Sequence, residues 1–403
     1  MGILDLFRGS NDERIAKRLI AEFRAQGERR RMEFVPEEST IVVYGAGGER
    51  EGLRNLSNLK YELANTPNSQ HDDIYHRFAK GLLDSASAGP TTYAEARPQL
   101  RIALRDVAYG ERTRLVRLQS GTEKQAKPML SRPFAGDLAA YCVMDRELSL
   151  DYVTDEMVAS WGVSVDQAME DAFVNARAMT FSTESAGTLH FVKGPNSYNA
   201  SCLVCTDAIR KLPMSGSPVA AAATRDSLSI TGSDDLAGLE LLAKILEAEI
   251  KDGIRHTCGR PLVLTDAGWQ LFVPPRALQA RFLEIARQYD ALFWNDYREL
   301  LIKDLEAREE DIFVATLGMF EESETKAAFS AVVWSAGVDT ILPPADRVFF
   351  YDPEDESKRI ALWADVTRVL GSSMQELAGV PHRFRVRDFP SDSDFLAMAA
   401  KKI

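Results

Sequence analysis

Helical and extended segments alternate irregularly along this sequence, and that alternation restricts the chain to a mixed fold. Residues 11–31 place apolar side chains at helical spacing, whereas residues 32–35, 40–44 and 52–56 are short apolar segments separated by turn residues. A long charged helical segment follows much later, at residues 276–308. The sequence therefore predicts an α+β fold of several domains, with small antiparallel or mixed sheets packed against helices.

The length of the chain requires more than one hydrophobic core. Its 403 residues exceed what a single compact core holds, so we expect two or three domains. The small residues Ser-Ala-Ser-Ala-Gly-Pro at positions 85–90 indicate a first boundary. The unit before this boundary is predicted to run helix, three strands, helices.

Composition disfavours several functional classes. The formal net charge is -12, which opposes approach to nucleic acid and to anionic lipid. The beginning of the sequence has no signal-peptide pattern, and we see no run of about 18 uncharged apolar residues, so we expect no membrane partner. Four scattered cysteines do not make a disulfide framework, which favours the cytoplasm.

The familiar nucleotide and hydrolase signatures are missing from the sequence. The loop Gly-Ala-Gly-Gly at positions 45–48 follows a predicted strand, but Arg50 stands where a dinucleotide-binding loop has its third glycine. We interpret this loop as a hairpin turn. No Walker A, H-E-x-x-H or G-x-S-x-G pattern occurs. We therefore expect no cofactor.

Cysteine and histidine supply two weaker candidates. Cys202 and Cys205 form a C-x-x-C, and His256 with Cys258 could complete a metal-binding set. However, the C-x-x-C lies in an apolar segment predicted as a strand, where side chains three apart point to opposite faces. We favour buried thiols and predict no metal. His190, on a predicted strand, is either a general base or a hydrogen-bonded structural histidine.

A basic segment offers a possible anion-binding patch. Arg97, Arg101 and Arg105 recur every four residues in a stretch predicted to be helical from 93 to 107. The alternative is a solvated face that balances acidic neighbours, since few aromatic residues are present to stack on bases.

One ordered block of short motifs suggests a relative. The block comprises R-P-F-x-G-D-L from residue 132, V-M-D from 143, Y-V-T from 152, W-G-V-S from 161, F-V-N-A-R from 173, G-P-N-S-Y-N-A-S from 194 and R-D-S-L from 225. In order and spacing it resembles the YtpQ-like bacterial proteins, the domain of unknown function 1444 family, over roughly residues 16–274. The resemblance implies a bacterial protein and carries no reaction. Because it fades near residue 274, we predict three domains: 1–90, 91–274 and 275–403.

The last of these domains is predicted to repeat the element order of the first. It begins with a helix, continues with three strands and a helix, and ends with a further strand at 382–386. We hypothesise that the two are variants of one small α+β module.

Short polar residues at strand ends and turns of the block are the candidate ligand-binding set. Such groups can converge on a ligand, or they can serve as turn formers and a structural Arg-Asp pair. The set consists of Asp137, Asp145, Asn196, Tyr198, Arg225 and Asp226.

We expect a non-catalytic protein-binding or adaptor function, with a protein as the partner. The missing catalytic signatures and the aromatic residues Phe293, Trp294 and Tyr297 on the long helix motivate this expectation. The alternative is an enzyme or small-ligand receptor that uses a polar cleft in the central domain. The sequence does not indicate the oligomeric state.

Overall fold

The structure is a computed structural model that describes residues 3–85, 89–121, 127–146, 150–195 and 198–403. Helices and strands occur throughout, and the strands form several small antiparallel or mixed sheets. The predicted α+β class is therefore confirmed. The elements up to residue 177 are, in chain order, α1 (Ile3–Ala25), β1 (Arg31–Val35), β2 (Thr40–Tyr44), β3 (Arg50–Asn55), α2 (Ser57–Ala64), α3 (His71–Ser85), α4 (Tyr93–Ala96), β4 (Leu100–Asp106), α5 (Tyr109–Gln119), β5 (Ser131–Ala135), β6 (Leu138–Asp145), β7 (Leu150–Tyr152), α6 (Asp155–Ser160) and α7 (Val165–Arg177).

The rest of the chain also contains both helices and strands. Its elements are β8 (Ser182–Ala186), β9 (Leu189–Lys193), α8 (Thr206–Ile209), β10 (Pro218–Ala221), β11 (Ser229–Gly232), α9 (Leu236–Asp252), β12 (Leu262–Thr265), β13 (Gly268–Leu271), α10 (Arg276–Ala307), β14 (Phe313–Val314), β15 (Gly318–Glu321), β16 (Ala328–Ser335), β17 (Thr340–Leu342), β18 (Arg347–Tyr351), β19 (Lys358–Leu362), α11 (Trp363–Leu370), β20 (Gln375–Glu376), β21 (Phe384–Val386), α12 (Asp392–Ala397) and β22 (Lys401–Lys402).

Two compact units share the chain, and each is assembled from separate segments. The first unit comprises Met1–Arg101, Val116–Leu130 and Cys142–Ala172. The second unit comprises Ile102–Leu115, Ser131–Tyr141 and Phe173–Ile403. The division into three domains at residues 90 and 274 remains a prediction.

The N-terminal part of the first unit has its own core. The three predicted strands form as β1, β2 and β3, which pair antiparallel in sequence order. The turn Gly45–Gly48 joins β2 to β3, and the Gly45 amide donates to the Glu49 carbonyl. Leu19 and Phe23 of α1 are buried with Ile41 of β2 and Leu59 of α2. The interpretation of the glycine loop as a hairpin turn is confirmed.

The second unit contains two cores that share one long helix. The six-stranded sheet, in the order β13-β12-β10-β11-β9-β8, packs with α9 and the N-terminal half of α10. The five-stranded sheet, in the order β15-β16-β18-β19-β22, packs with the C-terminal half of α10. Helix α10 is 32 residues long, so it reaches both cores. Its middle turns lie where one core ends and the other begins.

The hypothesis of a repeated module is wrong. In the second unit, β16 and β18 are parallel neighbours, while β17 pairs with β14 and β21 in a separate sheet. The first unit has a simple antiparallel meander instead. Because the strand orders differ, the shared order of helices and strands does not reflect a shared fold.

Four further local predictions are wrong. The predicted helix at 93–107 ends at Ala96, because Pro98 cannot continue an α-helix, and β4 follows with an almost fully buried run. The sequence also predicts a strand at 113–118 and a helix at 357–370, whereas residues 113–118 belong to helix α5 and residues 358–362 form β19. Residues Ala200–Val204 form a 3-10 helix in place of a strand. In β4 and in the 3-10 helix, burial outweighed local periodicity.

Candidate functional site

A cleft of about 330 Å³ opens in the second unit beside the middle of α10. Its size is near the lower end of the range for ligand pockets, about 300–1,000 Å³. Most of its wall is apolar, and five residues bring charged or titratable groups. The lining residues are Val107, Asp137, Arg260, Tyr289, Asp290, Phe293, Trp294, Leu317, Pro343, Pro344, Val380, Pro381 and His382.

Helix α10 supplies one wall because residues four apart lie on the same helical face. Tyr289 and Phe293 stack with ring centroids 5.7 Å apart at an interplanar angle of 15°. The Tyr289 hydroxyl donates to the Thr257 carbonyl at 3.0 Å, and the Trp294 indole N–H donates to the Ala315 carbonyl at 2.7 Å. These hydrogen bonds fix the aromatic side chains, so this wall is preformed.

Loops from the two cores supply the opposite walls. The side chain of Asn295 accepts a hydrogen bond from the Leu317 amide and donates to the Leu317 carbonyl, which fixes the loop before β15. Pro343 and Pro344 follow β17 directly. Val380, which is 40% exposed, lies at the rim beside a cis peptide bond to Pro381. Apolar side chains on short, fixed loops thus surround the polar groups.

The polar part of the cleft is a three-residue ion network centred on Arg260. Its guanidinium pairs with both carboxylate oxygens of Asp290, with Nη1 to Oδ1 at 2.8 Å and Nη2 to Oδ2 at 2.5 Å. Nη1 also donates to Oδ2 of Asp137 at 2.9 Å. The network is partly buried, with side-chain exposures of 31% for Arg260, 25% for Asp137 and 38% for Asp290. Two carboxylates therefore share one guanidinium at the edge of an apolar cleft.

Two glycines allow the backbone to place these charges. A side chain at Gly259 would lie 2.3 Å from the Cβ and Cγ atoms of Tyr289, so only glycine lets the loop before β12 approach α10 this closely. Gly136 has a φ of +54° in the turn between β5 and β6, which presents Asp137. The carbonyl of Asp137 accepts a hydrogen bond from the Val107 amide at 2.9 Å.

The titratable groups at the cleft are each held by a partner. Burial raises the pKa of Asp290, against the opposing effect of Arg260. Burial also raises the pKa of the Cys258 thiol to about 12, and the sulfur lies 3.1 Å from the Arg260 carbonyl. Burial raises the pKa of Tyr289 well above its ordinary value, and Nε2 of His382 lies 2.7 Å from Oε1 of Glu376. A thiol or phenol with so high a pKa is a poor nucleophile at neutral pH.

Of the predicted ligand-binding residues, Asp137 lines the cleft and three others form a different cluster. Asp226 pairs with Arg255 at 3.0 Å and lies 3.5 Å from Nε of Arg225. The Arg225 carbonyl accepts from the Ala200 amide, and Tyr198 is buried nearby in sequence at 4% exposure. These contacts connect the turn after β9 to the turn before β11. They match the alternative in which these residues form turns and a structural ion pair.

The last two predicted residues are Asp145 and Asn196. Asp145 ends β6 in the first unit, where its register partner is Leu150 of β7. Asn196 lies outside the described residues. Of the six predicted residues, four are therefore described in the second unit, one is described in the first unit, and one lies outside the described residues.

The predicted arginine patch does not form a helical row. In the first unit, Arg97 pairs with Asp171 at 3.1 Å, and Arg101 donates to the Pro98 and Leu100 carbonyls. In the second unit, Arg105 is 8% exposed and donates to the Leu104 carbonyl at 2.7 Å. Because a 3-10 helix and β4 replace the predicted helix, the four-residue spacing does not place these side chains on one helical face. Anion binding by them remains a prediction.

Cys202 and Cys205 lie close together because the 3-10 helix brings residues three apart to the same side. Both thiols are buried, and the neighbouring thiol together with burial raises the pKa of Cys202. The predicted divergence of the thiols is wrong, since it depended on a strand. Over the described parts of the chain, no three His, Cys, Asp or Glu side chains are grouped to hold a metal ion.

His190 is a buried histidine with a partner on each ring nitrogen. Nδ1 lies 2.9 Å from the Ser185 hydroxyl, and Nε2 lies 2.9 Å from the Pro213 carbonyl. A carbonyl only accepts, so Nε2 carries the proton and Nδ1 accepts from Ser185. This arrangement matches the structural alternative that the sequence left open.

Sequence reasoning missed Arg260 and Asp290, which complete the charged part of the cleft. Arg260 is an isolated arginine in a loop and Asp290 is one of many acidic residues on a charged helix. Neither lies in a motif. The aromatic residues Phe293 and Trp294 were the one available signal, and both line the cleft, whereas Tyr297 is fully buried in a core.

Comparisons with known proteins found no match, whether against protein-family models, curated proteins or solved structures. The resemblance to the YtpQ-like proteins therefore remains a prediction. In the part of the chain that the structure describes, no helix combines the length and the apolar character needed to cross a membrane.

Proposed function

We propose that this chain is a non-catalytic binding protein whose cleft receives one apolar group of its ligand. The observation that carries the proposal is the preformed cleft beside α10, with apolar walls around one small ion network. Aromatic and proline side chains on fixed backbone lose little conformational entropy on binding, which favours recognition of a partly apolar group.

The chemistry of the lining residues favours binding over catalysis. Arg260 already holds Asp137 and Asp290, and the hydroxyl of Tyr289 is committed to Thr257. A catalytic acid or base must exchange a proton with the substrate, whereas these groups are held in a fixed arrangement. The ion network is therefore better suited to orienting a ligand than to transforming it.

A protein is the partner we propose, with an apolar side chain inserted in the cleft. The cleft is small for a complete organic ligand and suits a single anchoring side chain, as found at the centre of many protein interfaces. The second candidate is a small-ligand receptor that uses the same cleft, which Asp137 of the predicted central domain and α10 of the predicted C-terminal domain line together.

Blocking the rim of the cleft tests the proposal. Val380→Trp places a large ring at a position that is 40% exposed, so the variant is expected to fold. Val338→Trp adds the same ring at another exposed position, 36% exposed and outside the cleft lining. Peptides are first selected from a displayed random library for binding to the wild-type protein. These peptides should also bind the Val338→Trp variant, and they should not bind the Val380→Trp variant.

A parallel measurement separates the two candidates. Ligand-observed NMR with small aromatic fragments should show binding to the wild type and to Val338→Trp, and its loss in Val380→Trp. If the fragments bind to the cleft and no peptide does, the result would favour the small-ligand receptor. If neither fragments nor peptides distinguish Val380→Trp from Val338→Trp, the cleft is not a binding site.

A further inference from the structure

We infer that the group bound at the cleft carries a positive charge, as an organic ammonium or guanidinium such as a lysine or arginine side chain. This inference rests on the proposed binding function and names the chemistry of the ligand. It follows from the balance of charge among the lining residues, from the geometry of Asp137 and from the neighbouring ion pairs.

The lining residues carry more negative than positive charge. Asp137 and Asp290 contribute two negative charges and Arg260 one positive charge, so the network has a formal charge of 1 − 2 = −1. His382 adds no excess of positive charge, since Glu376 lies 2.7 Å from its ring. The chain as a whole has a net charge of -12, which further attracts cations.

Two nearby arginines outside the network are already paired, and the guanidinium of Arg383 lies over the ring of Tyr297, which does not line the cleft. Arg112 lies over the ring of Phe293, with 5.4 Å to its centroid, and forms an ion pair with Asp106 at 2.5 Å. Arg287, one turn before Asp290 on α10, pairs with Asp346 at 2.7 Å. Each pair is neutral, so neither offsets the negative charge of the network.

Asp137 presents an acceptor to the cleft. Arg260 donates to Oδ2 of this carboxylate, and the thiol sulfur of Cys258 lies 3.7 Å from the same oxygen. Within the described residues, Oδ1 of Asp137 accepts no hydrogen bond. An ammonium or guanidinium group can donate to Oδ1 while its apolar stem contacts the walls.

An anionic ligand fits the same network poorly. Three of the five N–H groups of Arg260 already donate to carboxylates, two from Nη1 and one from Nη2. An anion that binds the remaining N–H groups would be repelled by the carboxylates of Asp137 and Asp290, which share the same guanidinium. The geometry therefore favours a cation over an anion of the same size.

Calorimetric titration with three matched probes tests this inference. Benzylammonium, benzyl alcohol and benzoate share one ring and differ in charge. Benzylammonium should bind at least about tenfold more tightly than benzyl alcohol, since one charge-assisted hydrogen bond contributes about that factor or more. Benzoate should bind most weakly. Raising the salt concentration should weaken the binding of benzylammonium and leave the binding of benzyl alcohol nearly unchanged.

Two variants locate the effect. Asp137→Asn should remove most of the preference for benzylammonium, while Asp311→Asn, which removes the same charge at an exposed position outside the cleft lining, should preserve it. Equal binding of benzylammonium and benzyl alcohol, or tighter binding of benzoate, overturns the inference of a cationic ligand and leaves the proposed binding function standing. If none of the three probes binds, both proposals fail. The salt dependence of the wild type decides the question if Asp137→Asn does not fold.

Discussion

Replacement of Arg260 by glutamine is the sharpest test of the charged network. The substitution removes the guanidinium that Asp137 and Asp290 share and keeps a shorter polar side chain. The two carboxylates then remain close together at a partly buried site. We expect the protein to lose stability because uncompensated negative charges replace a paired network.

The expected magnitude follows from the exposure of the three side chains. Breaking a fully buried ion pair costs about 3–5 kcal/mol, whereas a fully exposed pair contributes about 0–1 kcal/mol. Here the side chains are 31%, 25% and 38% exposed for Arg260, Asp137 and Asp290, between those limits. Screening by solvent therefore reduces the expected loss in unfolding free energy to about 2 kcal/mol at neutral pH.

The loss should depend on pH in a defined direction. Burial raises the pKa of Asp290 in the folded state, and removing Arg260 raises it further. A carboxyl whose folded pKa exceeds its unfolded value contributes stability below the unfolded pKa, and that contribution disappears as pH rises through the folded pKa. The difference in unfolding free energy between the wild type and Arg260→Gln should therefore increase as pH rises from about 4 towards neutrality.

Urea denaturation followed by circular dichroism at several pH values measures this gap. Arg281→Gln is the matched control, because Arg281 pairs with Glu247 on the surface, where the two side chains are 35% and 46% exposed. We expect this control to lose less than about 1 kcal/mol, with little pH dependence. Equal losses in both variants, or a loss for Arg260→Gln that shrinks as pH rises, would refute the reasoning.

Three further predictions concern packing and ionisation. Phe350→Ala should cost about 3–5 kcal/mol, measured by urea denaturation, because this 1% exposed ring contacts three other aromatic rings in the core under the five-stranded sheet; a loss below about 1 kcal/mol would contradict that packing. Gly259→Ala should lower the melting temperature because its Cβ would lie 2.3 Å from Tyr289, and an unchanged melting temperature would show that the loop can move away. Burial raises the pKa of Asp106 to about 6, so the stability that this group contributes below its unfolded pKa is lost as pH rises through about 6. The Asp106→Asn variant should therefore show a flatter dependence of the unfolding free energy on pH in this range. An unchanged pH dependence would contradict the raised pKa of Asp106.

Long periodic segments were predictable from the sequence alone. Residues 276–308 were predicted as a helix and form α10, and residues 236–251, which also have helical periodicity, form α9, because an apolar stripe repeated over many turns has only one compatible secondary structure. The three strands β1, β2 and β3 were also predicted, since turn residues separate these short apolar segments. In these places local propensity and burial favour the same structure.

The secondary structure predicted for short segments was wrong where burial, and not periodicity, determined the structure. Arginines at positions 97, 101 and 105 imitate a helical face, yet Pro98 ends the helix and β4 runs through the interior. Cys202 and Cys205 were assigned to a strand because of their apolar neighbours, while a 3-10 helix places them side by side. A run of four to eight apolar residues fits a buried strand and a buried helical turn equally well. Only tertiary contacts choose between them.

The sequence by itself determined the α+β class, the longest helices and the acidic character of the chain, because these depend on local periodicity and on a sum of charges. The tertiary structure alone decided where the charged cleft lies. Asp137 and Arg260 are 123 positions apart, and Asp290 is 30 positions further along. Nothing in the local sequence indicates that Asp137 and Asp290 both pair with the guanidinium of Arg260. The fold brings them together through a left-handed glycine turn, a glycine packed against Tyr289 and the middle of one long helix.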